Sequence, residues 1–178
     1  MCPFQVIQTN SCRVRKFFHV PILSESDSLF SEGYGIKLKR MFVLSFCETL
    51  YLLENQKIIV LNEKTRTNLD FKDLFTRFVK EDMFFWKKYI VYRDLRSRGF
   101  IVREMVDRKN IFEVWERGQF NKKDSSYFVK IVVEGISEET SILINNLELS
   151  MEIGKDLKLA VIDPRGEIVY YGLNQANF

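Results

Sequence analysis

A chain of 178 residues that is 46% hydrophobic and 29% charged can bury a real core, as one compact unit or two small ones, and remain soluble. No apolar run approaches the roughly 18 residues that a membrane helix needs, and Met1-Cys2-Pro3-Phe4 has neither the basic nor the apolar region of a signal peptide. A cytoplasmic protein away from membranes is therefore expected. The formal net charge is only +3, but it is uneven: residues 87–109 hold eight basic and three acidic side chains, whereas residues 111–178 hold seven basic and eleven acidic.

In chain order, Gln5-Val6-Ile7 and residues 13–20 are β-like, and Ser24-Glu25-Ser26-Asp27-Ser28 reads as a polar loop. Residues 41–53 are predicted as one apolar helix, because Phe42, Ser45, Phe46, Leu50 and Leu53 fall at helical spacing. Residues 57–61 form a strand, and residues 70–79 a helix with Phe71, Leu74, Phe75 and Phe78 on one face. A third helix is set by Phe85, Tyr89 and Tyr92, widened by Ile90, Val91 and Leu95, and closed by Gly99 as a left-handed cap. Strands follow at residues 100–102, 112–116 and 127–134. Ser137, followed by two acids that suit the positive helix end, is predicted to cap a helix with the stripe Leu143, Leu147 and Met151, ended by Gly154. Residues 157–162 and 167–171 are strands joined by the tight turn Asp163-Pro164-Arg165-Gly166. The order gives an α+β (mixed α/β) fold: a small N-terminal αβ domain over residues 1–81, then a C-terminal domain over residues 82–178.

Residue chemistry narrows the function classes. His19 is the only histidine, in a strand-like setting that favours a structural role. A multi-histidine zinc site is excluded, and no G-x-S-x-G elbow, Walker A loop or G-x-G-x-x-G occurs. Cys2, Cys12 and Cys47 follow no metal or disulfide spacing and read as reduced cytosolic thiols. The 16 phenylalanines read as core packing, with an exposed aromatic surface awaiting a partner as the other reading. The basic run reads either as a solvated helix face or as a phosphate-facing stripe built from Lys87, Lys88, Arg93, Arg96 and Arg98.

The stretch Tyr89-Ile90-Val91-Tyr92-Arg93-Asp94-Leu95-Arg96-Ser97-Arg98-Gly99-Phe100 resembles the Y-x-x-Y-x-D-L-R-x-R-G-Y helix that opens the C-terminal domain of archaeal tRNA-splicing endonucleases. The likeness continues through Phe112-Glu113-Val114-Trp115-Glu116-Arg117-Gly118, Ser126-Tyr127-Phe128-Val129, Leu159-Ala160-Val161-Ile162-Asp163 and Gly166-Glu167-Ile168-Val169-Tyr170-Tyr171. Looser matches at Leu44-Ser45 and Glu48-Thr49-Leu50-Tyr51-Leu52-Leu53 extend it back to about Tyr34. The resemblance implies an endonuclease-like C-terminal domain with a central mixed sheet flanked by helices. It also implies intron removal from precursor tRNA, without metal or cofactor, leaving a 2′,3′-cyclic phosphate and a 5′-hydroxyl. That chemistry uses a tyrosine as base, a histidine as acid, and a lysine to stabilise charge on phosphorus.

This chain departs from the pattern at the chemistry. Trp115 occupies the tyrosine position of F-x-V-Y-x-x-G, and Asp124 the histidine position of H-S-x-Y; only Lys155 survives. Indole has no ionisable proton for the task, and a carboxylic acid with the ordinary pKa of about 4 is already ionised at neutral pH. Glu148 stands where active members carry an arginine that stacks on a bulged base. The resemblance thus implies a structural subunit of a heterotetrameric enzyme, bound to a catalytic subunit and precursor tRNA, with a homodimer in isolation also open. Its expected interface is Ile168, Val169, Tyr170, Tyr171 and Leu173 of the last strand, with Asp163 and Glu167 of the acidic turn. The alternatives are an active subunit using Tyr127, Asp124 and Lys155, or an RNA-binding assembly module of the same fold.

Overall fold

The computed structural model describes residues 4–9, 17–20, 23–38, 41–63, 65–105, 108–137 and 139–173, with side chains from Phe18, Val20 and Glu25 onward. It divides into two compact units, 1–86 and 87–178. The sequence-based boundary at 81/82 falls at the end of one helix; the structural division falls just inside the next.

In the first unit, β1 (Phe4–Thr9) lies between antiparallel β2 (Phe17–His19) and parallel β5 (Ile58–Asn62). The sheet is completed by β3 (Ile36–Leu38) and β4 (Met41–Leu44) beyond β2, and by β6 (Asn68–Leu69) beyond β5. Of the strand expected over residues 13–20, residues 13–16 lie outside the described residues. The phenylalanines do form a core here. Phe46 stacks on Phe78 at 4.2 Å between centroids, Phe18 meets Phe78 edge-on at 5.5 Å, and Phe85 meets it at 5.1 Å. Such ring pairs contribute about 0.5–1.5 kcal/mol beyond the area they bury.

Two expectations fail in this unit. The supposed loop at residues 24–28 lies inside helix α1 (Leu23–Ser31), where Ser26 and Leu29, three apart, share one buried face. The single helix over 41–53 is instead strand β4 followed by α2 (Phe46–Glu54). Ser45 divides them: its Oγ accepts the Glu48 N–H at 3.2 Å, and Glu48 Oε2 accepts the Ser45 N–H at 2.7 Å. This capping box sets a helix start that residues 41–44 cannot cross, and they pair with β2 and β3. Helix α3 (Phe71–Glu81) begins as expected, with Asp70 Oδ1 accepting the Asp73 N–H at 2.7 Å.

Helix α4 (Phe85–Ser97) ends where its sequence says it should. Gly99 takes φ 86°, its N–H donates to Arg96 O, and the Phe100 N–H donates to Leu95 O. This is the paired bonding of a left-handed helix stop. A Cβ there would also meet Arg117 Nε at 2.8 Å.

The second unit is a mixed five-stranded sheet in the order β11-β10-β9-β8-β7. The strands are β7 (Ile101–Glu104), β8 (Ile111–Trp115), β9 (Tyr127–Val133), β10 (Asp156–Ile162) and β11 (Ile168–Leu173). Only β9 and β10 run parallel, through the crossover helix α5 (Thr140–Glu152). The period-two pleat sorts the side chains. Phe112 meets Tyr92 of α4 at 6.1 Å on one face, while Ile111, Phe128 and Leu157 pack against Leu147 of α5 on the other.

Helix α5 starts two residues later than Ser137 predicts. Its N-cap is Glu139, which makes no side-chain capping bond; Gly135 at φ 78° turns the chain after β9, and residues 135–137 lie outside any helix. Its stripe also differs. Leu143 and Leu147 are half-buried and Asn146 and Ser150 are buried, but Met151 is 52% exposed, one position past the face that Ser150 closes.

Candidate functional site

The three positions that the family pattern assigns to chemistry converge on one end of the second sheet. Trp115 is the last residue of β8, Asp124 lies in the turn before β9, and Lys155 precedes β10 directly after Gly154. The antiparallel β8–β9 ladder and the parallel β9–β10 ladder bring these ends together, with Tyr127 opposite both Val114 and Asp156.

Each position carries its own environment. The Trp115 indole is 8% exposed, meets Phe120 edge-on at 5.6 Å, and lies 5.7 Å from the Arg103 guanidinium, which is 4.8 Å from the Phe120 ring. The turn that carries Phe120 therefore closes over the indole. Asp124 is exposed. Lys155 is not free: its Nζ donates to Glu113 Oε1 at 3.1 Å and to Ser125 Oγ, and it lies 5.0 Å from the Phe128 ring. Ser125 Oγ in turn donates to the same Glu113 oxygen at 2.6 Å. Glu113 and Ser125 were missed by sequence reasoning. Strand periodicity held the signal, since Glu113 stands two residues before Trp115 and so shares its face.

Tyr127 faces away from this cluster. Glu113 is opposite Phe128 in the ladder and Tyr127 is opposite Val114, so the phenol projects from the other face. There it meets Phe100 at 6.2 Å and lies under Lys158 Nζ at 3.6 Å. Burial, assisted by Glu116 and opposed by Arg98, pushes its pKa above the ordinary tyrosine value. Lys155 and Tyr127 are thus not assembled around one reacting atom.

The basic run does not form one stripe, because positions 87, 88, 93, 96 and 98 scatter around the helix. Lys88 is held by Glu104 at 2.9 Å and is largely buried. Arg96 Nη1 donates to Phe100 O at 3.4 Å, and Arg98 Nε pairs with Asp94 at 3.1 Å. Lys87 is half-buried, whereas Arg93 is exposed with its guanidinium 5.9 Å from the Tyr89 ring. Arg93, Asp94 and Ser97 line a groove of about 360 Å³ against Gly166 and Ile168.

The last strand alternates. Ile168 and Tyr170 turn inward, and the Tyr170 hydroxyl donates to Asp94 Oδ2 at 2.7 Å. Burial first, then that carboxylate, pushes the Tyr170 pKa well above the tyrosine range, against the pull of Arg98. Val169 and Tyr171 turn outward, 51% and 55% exposed, and Leu173 is half-buried beside the Ile111–Phe128–Leu157 cluster. In the preceding turn Asp163 Oδ1 accepts the N–H groups of Arg165 and Glu167 at 2.9 and 2.8 Å. Its carboxylate shapes the turn, and Glu167 is the acid left outward. Among the described residues no cluster of three or more His, Cys, Asp or Glu could hold a metal, and no helix is long and apolar enough to cross a membrane.

This two-unit α+β architecture, with a mixed sheet whose strand ends gather the three family positions, is matched by two sequence families. The catalytic C-terminal domain of tRNA intron endonuclease matches residues 85–170, and the N-terminal domain of tRNA intron endonuclease matches residues 18–75. The tRNA-splicing endonuclease of Methanococcus maripaludis is 32% identical over 145 residues, covering 82% of this chain and 81% of the relative. That of Pyrococcus furiosus is 34% identical over 149 residues, covering 83% and 84%. The chain belongs to the tRNA intron endonuclease family.

Proposed function

We propose that this chain is the structural subunit of a heterotetrameric tRNA-splicing endonuclease, supporting a catalytic subunit that removes introns from precursor tRNA. The carrying observation is Trp115. Where the family reaction needs an ionisable phenol, an indole lies packed against Phe120 beside Arg103, and indole nitrogen takes no proton from a 2′-hydroxyl. Asp124 at the acid position adds a second loss. The reading that Tyr127 substitutes as base is disfavoured, because its phenol projects from the opposite face of the sheet with a raised pKa.

In this reading Val169, Tyr171 and Leu173 contribute the outward apolar surface toward the partner, with Glu167 as the acidic contact of the turn. Arg93 and Lys87 are the members of the basic run best placed to approach phosphates. Ile168, Tyr170 and Asp163 support that surface from beneath. The complex works in the cytoplasm without a cofactor. The test is metal-free incubation of the purified chain with precursor tRNA. No cleavage at the exon–intron junctions is expected alone, and cleavage is expected once a family chain with tyrosine, histidine and lysine intact is added. Junction cleavage by this chain alone overturns the proposal.

A further inference from the structure

The loss of function at this site goes beyond the base and the acid. Lys155 is the one family catalytic group retained, yet its ammonium is fastened by Glu113 Oε1 at 3.1 Å and by Ser125 Oγ, which itself donates to Glu113 at 2.6 Å. The lysine side chain is 13% exposed and the glutamate 29%, so the pair is shielded from the screening that weakens surface ion pairs. Glu113 occupies the unspecified position of F-x-V-Y-x-x-G, where the motif does not require a carboxylate. The pleat nevertheless aims it at the same face as Trp115. Arg103 stands opposite Glu113 in the β7–β8 ladder and beside Trp115, and Asp124 adjoins Ser125 in the chain, so the formal charges of the site balance and the carboxylate nearest Lys155 is Glu113.

We propose that Glu113 is a third inactivating residue, one that neutralises and anchors Lys155 so that this site does not receive a phosphate. A positioned cation contributes to such a reaction by meeting charge that builds on the phosphoryl oxygens, and removing one such donor lowers rates by roughly 10²–10³. A lysine already satisfied by a carboxylate and a hydroxyl offers little of this. Restoring tyrosine and histidine therefore leaves the third group engaged. Glu113 does not touch substrate; it acts through Lys155. The inference rests on the non-catalytic reading of the chain.

The probe is inorganic phosphate, titrated at constant ionic strength into the isotope-labelled full chain while the backbone amides of Ser125 and Lys155 are followed by NMR. Glu113→Gln keeps the side-chain shape and the acceptor for Ser125 but removes the charge, so the fold is retained. Saturable shifts at both amides are expected in Glu113→Gln, at least tenfold stronger in apparent affinity than in the wild type. They should vanish in Glu113→Gln/Lys155→Ala and remain absent in Glu113→Asp, which keeps the charge. Equal responses in wild type and Glu113→Gln, or none in either, overturn the proposal while leaving the non-catalytic reading in place. Cleavage of precursor tRNA by the wild-type chain that Lys155→Ala abolishes overturns both.

Discussion

Replacing Tyr171 by aspartate separates assembly from folding. Tyr171 is 55% exposed in the isolated chain and stands opposite Leu159 on the outward face of the last two strands. A tyrosine that buries about 200 Å² in full thus has about 110 Å² left to cover. At about 25 cal/mol per Å² this corresponds to nearly 3 kcal/mol on association, or about 10²-fold in Kd. The aspartate adds the desolvation of a carboxylate, so this is a lower bound for Tyr171→Asp. The other roughly 90 Å² is already covered within the chain, so a loss of about 2 kcal/mol of stability is expected by the same coefficient, which leaves the chain folded. Light scattering and sedimentation on the mixed subunits measure assembly, with circular dichroism as the folding control. A folded Tyr171→Asp chain that assembles with undiminished affinity refutes the placement of the interface on this face.

Further outcomes follow from the same structure. Tyr170→Phe removes the bond to Asp94 and should lower stability by about 1–2 kcal/mol in denaturant titrations. Tyr127 and Tyr170 have raised pKa values in the folded chain, so both phenols keep their protons when the unfolded chain has begun to lose them near pH 10. Their contribution is complete below pH 10 and declines as pH rises above it, and Tyr170→Phe should flatten that decline in thermal melts across pH 9–11. Arg93→Ala should reduce the salt slope of RNA binding by the assembled enzyme by about one with stability unchanged, if the exposed guanidinium meets a phosphate. Lys88→Ala should instead lower stability by about 1 kcal/mol and leave the slope intact, because its partner is Glu104. Phe78→Ala, at the centre of the aromatic core, should cost about 3–5 kcal/mol in chemical unfolding.

The elements most legible in the sequence are those whose pattern carries its own boundaries. Helix α3, expected from residue 70, begins at Phe71 behind the Asp70 cap, and α4 stops at Ser97 ahead of Gly99, whose left-handed backbone closes it. The outward set of β11 follows from strict alternation in a strand with one inner neighbour. Residues 41–53 were misread because a continuous apolar run fits a strand and a helix equally well, although Ser45 and Glu48 carried the capping signature that divides it. Helix α1 was hidden by its polar residues, since serine and aspartate suit turns as readily as an exposed helix.

At the site, the substitutions at Trp115 and Asp124 were visible once the motif was placed. The engagement of Lys155 was not, because Glu113 and Ser125 stand 42 and 30 residues away in the chain. Only the closed β8–β9–β10 ladder brings them together. The basic run failed as a single stripe for a related reason: composition counts charges without regard to the turn of the helix, and Lys88 in α4 and Arg98 just past its end are committed to carboxylates of this same chain.

The most direct test of the central claim is the cleavage rate of the mixed enzyme when Lys155 of this chain alone is changed. With a catalytic partner that keeps tyrosine, histidine and lysine, Lys155→Ala in this chain should leave the rate on precursor tRNA within about twofold, whereas alanine at the partner's lysine should lower it roughly 10²–10³-fold. A loss of that size from Lys155→Ala, with assembly and folding intact, would show that this chain takes part in the chemistry and would contradict the account.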